Sequence, residues 1–316
     1  MTLTSTRSGP GGAGWRYLDP ADLKRLRNFQ FAARLIVEGF FYGRHRSPFH
    51  DLSAEFADYR AYTPGDEIRA LDWRAVARTD RLYIRLFRKE TDMNCYLLVD
   101  VSPSMRFADP GASGGGGLTK LEYASYLSAA LAYLMVQQGD RVALALADTG
   151  LREFLPAGGS DDNLRRILST LERLPHGESV ASGSGLAVTL RTLSGVLKRK
   201  GLLVVLSDFL DDPESLFRSL GMFTHRGFAV LLIQILTEAE LHLPEAEAAL
   251  FHDPETHLEA AAEPAAIRQA YEAELRAYLQ NIESNCHARR IHYQLASTRN
   301  PYHEALESYL TKRLRL

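Results

Sequence analysis

The sequence predicts an α/β fold in which a mostly parallel sheet carries helices on both faces, preceded by a smaller α+β N-terminal segment. Two observations predict it. Beyond Glu90, short apolar runs alternate with longer stretches of helical periodicity, the texture of a sheet whose strands are joined by crossover helices. The runs themselves, such as "GLLVVLS" and "FAVLLIQIL", are continuously apolar, as strands buried on both faces require.

In chain order, "MTLTSTRSGPGGAGW" reads as a flexible tail over residues 1–16, rich in Gly, Ser and Pro and without the apolar core of a signal peptide. A helix follows from Leu18 through Val37, where Asp19 can cap and Pro20 fits the first turn. The stretch from His45 to Glu90 is dense in charge and aromatics, with a Thr63-Pro64-Gly65-Asp66 turn and a strand at Leu82 to Phe87. Then come strand Cys95 to Asp100, the glycine loop Gly111 to Gly117, helix Leu118 to Gln138, strand Arg141 to Asp148 and a short strand Leu151 to Leu155. Helices near Asp162 to Leu174 and Leu186 to Lys200 precede strand Leu202 to Ser207, a helix near Glu214 to His225 and strand Phe228 to Leu236. A helix over Pro264 to Ala288, a strand at Ile291 to Ala296 and a helix from Tyr302 to Leu316 close the chain.

The 316 residues are 46% hydrophobic and 24% charged, enough core for one large domain or two smaller ones, and the net charge of −2 gives no overall field for nucleic acid or an anionic membrane. The most apolar runs fall far short of the ~20 residues that span a bilayer. "YASYLSAALAYLMVQQ" reads as a buried helix because Ser and Tyr run through it. Two cysteines, Cys95 and Cys286, make neither a metal pair nor a disulfide framework, which favours a reducing, cytoplasmic setting.

The stretch that carries chemistry is "NCYLLVDVSPSMRF". An apolar strand ends at Asp100 and continues into Ser102 and Ser104, so three oxygen-bearing side chains stand where an open parallel sheet collects ligands. A carboxylate and two hydroxyls are hard donors, suited to Mg2+ or Mn2+. "VVLSDFLDD" delivers Asp208 in the same way, and "SGSGLA" offers Ser184 at the start of a helix, with glycines that permit close backbone approach. Asp211 and Asp212 read as helix capping. Asp and Ser after a strand are also ordinary caps and turn formers, so the ordered set carries more weight than any one member.

Other motifs fail. A phosphatase of the haloacid dehalogenase class needs a second carboxylate where Ser102 stands. "GASGGGGLTK" lacks the ending of a phosphate-cradling loop and reads as a linker with a helix-starting Lys120, "YHEALE" lacks the second histidine of a zinc protease, and His45 with His50 read as surface or hydrogen-bonding side chains. The arginines of Arg69 to Arg88 are interleaved with Asp66, Glu67, Asp72 and Asp80, so internal ion pairs precede a partner-docking surface, and a nucleic-acid patch comes last.

"DVSPS" followed by Ser184 and Asp208 resembles the metal-ion-dependent adhesion site of the von Willebrand factor A fold. "SAEFADYRAYTPGDEIRALDWRAVARTDRLYIRLFRKE" resembles the signature of the bacterial family called domain of unknown function number fifty-eight, and the likeness extends through "QGDRVALAL", "LLVVLSDFLDD", "FHDPET" and "CHARRIHYQL". The resemblance implies a von Willebrand factor A-like (Rossmann-like) sheet. It divides the chain into a tail (1–16), a signature segment (17–92), a core with the adhesion site (93–240) and a C-terminal extension completing the sheet and helical layer (241–316). It implies Asp100, Ser102, Ser104, Ser184 and Asp208 as metal residues, Ser184 standing where the family pattern usually has threonine. It also implies a non-enzymatic interaction module that works with a MoxR-type AAA ATPase on client proteins. Arg69, Asp72, Trp73 and Arg78 are the partner-docking residues expected in the signature segment. The rival readings are a metal-dependent hydrolase or phosphotransferase in the same crevice, and a nucleic-acid binder using Arg69 to Arg88.

Overall fold

The computed structural model describes residues 29–43, 59–61, 83–85, 93–109, 117–174, 185–243, 246, 248–255 and 258–313. The expectations for the tail (1–16), the start of the first helix (18–28), the 63–66 turn, His45, His50 and residues 110–116 of the glycine loop lie outside the described residues.

Helix α1 (Phe29–Gly43) and a two-stranded antiparallel ribbon, β1 (Tyr59–Ala61) with β2 (Tyr83–Arg85), come first. The central sheet is built from β3 (Asn94–Asp100), β4 (Arg141–Ala147), β5 (Leu151–Gly158), β6 (Gly201–Ser207), β7 (Ala229–Leu236) and β10 (His292–Ser297), in the spatial order β10-β7-β6-β3-β4-β5. All neighbours run parallel except β4 and β5. This is the mostly parallel α/β sheet with helices on both faces that the sequence predicts.

The alternation of side chains along each strand divides the core in two. Cys95, Leu97 and Val99 face one layer, made of α1, α2 (Lys120–Gln137), α3 (Asp161–Arg173) and α8 (Tyr302–Arg313). Tyr96 and Leu98 face the other, made of α4 (Leu186–Val196), α5 (Pro213–His225) and α7 (Pro264–Ala288). A four-residue helix α6 (Glu238–Leu241) follows β7, and a hairpin of β8 (Ala249–His252) with β9 (Glu259–Ala262) stands outside the main sheet.

Helix α2 lies between the sheet and α1, which is why its sequence is apolar nearly all round: Leu127, Leu131 and Leu134 are buried, each contributing about 1.5–3 kcal/mol. A capping box starts it, the Thr119 hydroxyl accepting from the Glu122 amide while the Glu122 carboxylate accepts from the Thr119 amide. Among the described residues no helix is long and apolar enough to cross a membrane.

Three elements differ most in extent from their sequence-based limits. Helix α1 runs to Gly43, six residues beyond Val37. Strand β5 runs through Pro156 to Gly158 where the sequence suggested a stop at Leu155. It is an edge strand with an irregular register beside Pro156, so proline removes no needed ladder bond. Helix α4 ends at Val196, four residues before Lys200, with Leu197 already extended.

Candidate functional site

Strands β3 and β6 are adjacent, but their following helices cover opposite faces of the sheet, so the chain diverges at their carboxyl ends and leaves a crevice there. Asp100 ends β3. Its Oδ1 accepts the Ser102 amide at 2.9 Å and its Oδ2 accepts the Ser207 hydroxyl at 2.6 Å. Pro103 opens a single 3-10 turn (Pro103–Arg106), and this tight turn brings the Ser102 and Ser104 hydroxyl oxygens to 3.1 Å from each other. Asp100, Ser102 and Ser104 are all buried.

Asp208 follows β6 directly. Its Oδ2 accepts from Lys120 Nζ at 2.8 Å, its Oδ1 accepts from the Leu210 amide at 3.3 Å, and its carbonyl accepts from Gln234 Nε2 at 2.7 Å. Phe209, next in the chain, is buried with a φ of 54°, a left-handed conformation that costs a non-glycine residue about 1–2 kcal/mol. The Ser207 hydroxyl, accepting from the Phe209 amide at 2.9 Å, and the Tyr278 hydroxyl, donating to the Phe209 carbonyl, hold that conformation.

Lys120, the first residue of α2, does more than start the helix. Its ammonium is fully buried between Asp208 and Glu240, 2.5 Å from Glu240 Oε1. Burial alone would lower its pKa, but the two carboxylates outweigh that and hold it above the usual lysine value. Glu240 is placed by its own capping box at α6, where its Oε2 accepts the Thr237 amide at 2.7 Å.

Asp100 has hydrogen bonds but no ion-pair partner among the described residues. Burial, then the charge of Asp208, push its carboxyl up to about 7. From the β8–β9 hairpin, Glu255 joins the crevice: burial, then the charges of Asp208 and Asp211, raise its pKa, and the nearby Ser104 side chain offsets part of that rise. The crevice therefore gathers buried negative charge with Lys120 as its single paired cation among the described residues.

That chemistry fits a hard divalent cation. The donors are oxygens, the hydroxyls of Ser102 and Ser104 face each other, and the charge on Asp100 is uncompensated. Among the described residues no three His, Cys, Asp or Glu side chains are grouped to hold a metal by themselves, so a cation here would depend on the serines.

The structure thus brings Asp100, Ser102, Ser104 and Asp208 to neighbouring strand ends. Ser184 lies outside the described residues, as do Arg69, Asp72, Trp73 and Arg78 and, apart from strand β2 (Tyr83–Arg85), the arginine-rich stretch proposed for nucleic acid. The adjoining Gly185 is described: a Cβ there would stand 2.1 Å from the Thr149 carbonyl oxygen, so close backbone approach does require glycine. Asp212 caps α5 as expected, its carboxylate accepting the Glu214 and Ser215 amides. Sequence reasoning missed the roles of Lys120, Ser207, Glu240 and Glu255. The available signal for Lys120 was a charged residue opening a helix that is otherwise apolar on nearly every side.

Uncharacterized protein Rv1480 of Mycobacterium tuberculosis is 27% identical over 238 residues, 75% of this chain and 72% of that protein. Among solved structures, the conserved hypothetical protein BatB from Bacteroides thetaiotaomicron aligns at 13% identity with a TM-score of 0.45, over 71% of this chain and 100% of that one. The SpRpn10 VWA domain aligns at 10% identity with a TM-score of 0.38, over 68% and 93%. The pattern of the protein of unknown function DUF58 matches residues 58–280, which include the strand-end crevice, and the chain belongs to that family.

Proposed function

We propose that the chain is a non-enzymatic, Mg2+-assisted protein-interaction module that takes an acidic side chain of a partner at the Asp100 crevice. One observation carries the reading: Lys120 is shared between Asp208 and Glu240, so Asp100, beside the neutral hydroxyls of Ser102 and Ser104, is the strand-end carboxylate with no ion-pair partner among the described residues. A divalent ion so held keeps net positive charge and an affinity for one more carboxylate. Asp100, Ser102 and Ser104 would be its contacts, Asp208 would act from behind through its charge, and Ser184 would add a hydroxyl. The ion would supply electrostatic attraction; Mn2+ is chemically equivalent here.

The rival metal-dependent hydrolase is disfavoured on the same ground. Two-metal hydrolysis holds its ions about 4 Å apart and needs more anionic ligands than this set supplies. Exposed apolar side chains on the crevice loops, Phe107 at 41% and Leu210 at 58%, suit a docking rim. Following the family resemblance, the partner is a MoxR-type AAA ATPase, with which the module would assemble or activate client proteins. Cys95 and Cys286, buried on opposite sheet faces and not joined in a disulfide, suit a reducing cytoplasm.

The test is binding of the purified full chain to the MoxR-type ATPase of the same genome, in Mg2+ and in EDTA, with wild type and Asp100→Ala. Binding should weaken at least tenfold on either change. Equal affinity in all conditions overturns the reading, and hydrolysis of p-nitrophenyl phosphate that Asp100→Ala abolishes would favour the enzyme.

A further inference from the structure

A cavity of about 270 Å³ opens between the 3-10 turn, the start of β5 and the end of α3. Arg106, Arg152 and Arg173 line it with the hydroxyl-bearing Thr170, and Glu153 is the one acidic residue in the wall. Three guanidinium groups around one small concavity repel one another unless something negative shares the space.

The pairing of these arginines is weak. Arg152 Nη1 stands 3.6 Å from Asp148 Oδ2, and among the described residues Arg173 Nη2 reaches the neutral Thr170 hydroxyl at 3.4 Å. Arg106 Nε is buried with no hydrogen-bond partner among the described residues. A buried N–H left unsatisfied costs about 1–3 kcal/mol, which an acceptor in the cavity would recover. Burial, then the charge of Arg152, hold the Arg106 guanidinium below its usual range, consistent with an excess of positive charge at this place.

We propose that this cavity is an oxyanion site that takes a phosphate group, free or as the end of a small phosphomonoester. The guanidinium fork matches phosphate oxygens in pairs, and three such forks with a hydroxyl suit a doubly charged tetrahedral anion better than a single carboxylate. The volume lies just under the range of about 300–1,000 Å³ typical of pockets for drug-sized ligands, so the enclosed part of the ligand is a group of this size. The proposal stands apart from the metal reading, because no residue of the cavity belongs to the Asp100 set.

Isothermal titration of the full chain with sodium phosphate, against sodium chloride at equal ionic strength and in EDTA, tests it. Wild type should bind saturably. Arg106→Gln and Arg152→Gln, the latter at a side chain 40% exposed and safe for folding, should each weaken binding at least tenfold, while Asp100→Ala leaves it unchanged. A parallel titration with AMP separates the sources: tighter binding than phosphate assigns a phosphomonoester, equal binding the free anion. Absence of saturable binding by wild type overturns the proposal. So do unchanged affinities in both arginine variants, or loss of binding in a folded Asp100→Ala.

Discussion

The ammonium of Lys120 lies 2.8 Å from the Asp208 carboxylate with both side chains buried, at 0% and 3% exposure. The pair joins the start of α2 to the end of β6, residues 88 positions apart, and Glu240 completes it from α6, just after β7. An ammonium out of water is costly alone, and two carboxylates out of water are costlier still without it.

Lys120→Met should therefore lower the unfolding free energy by about 3–5 kcal/mol, since it strands the buried Asp208 carboxylate and the partly buried one of Glu240. The double variant Lys120→Met with Asp208→Asn should recover part of that loss. Urea unfolding of the single and double variants checks both. A loss under 1 kcal/mol in the single variant would mean that the carboxylates find water instead.

Asp100→Asn should raise stability at pH 8 in EDTA, because the buried carboxylate of Asp100 no longer opposes that of Asp208. The same substitution should abolish any rise in melting temperature on adding Mg2+. The site would then be one where stability is given up for binding. Thermal melts of the two proteins with and without Mg2+ decide it.

Glu255 stands near Ser104 and the charge of Asp208, in the place a partner's acid would use. Glu255→Gln should tighten Mg2+-dependent capture of the partner by about 1 kcal/mol, roughly fivefold in affinity. Weaker capture would instead make Glu255 part of the cation's own shell.

The Cys286 thiol is pushed up to about 12, chiefly by burial, so at pH 8 its thiolate fraction is on the order of one in ten thousand. Cys95 is buried in β3. Iodoacetamide should leave both thiols unmodified for hours in the native protein at pH 8 and label both within minutes in 6 M guanidinium. Mass spectrometry reads the difference directly.

The sheet and the strand-end residues were legible in the sequence because two-face burial leaves continuous apolar runs, and Asp100 and Asp208 each follow one at once. Other features were hidden for identifiable reasons. The β8–β9 hairpin contains "EAAA", whose residues have poor strand propensity, and its pairing is exposed and local, so no apolar run announces it. Lys120 reads as an ordinary first-turn residue because its partners lie 88 and 120 positions away, beyond any local pattern. The left-handed Phe209 is equally silent in sequence, since neither Phe nor its neighbours signal a positive φ.

One helical layer joins α1 and α8, drawn from residues 29–43 and 302–313, through the stacked rings of Tyr123 and Tyr302 and the pairing of Phe29 with Tyr126. A ribosome making this chain must therefore deliver some 270 residues before the surface waiting on α2 can be sealed. During that interval Phe29, Ala33 and Ile36 would offer a sticky flank to any chaperone within reach.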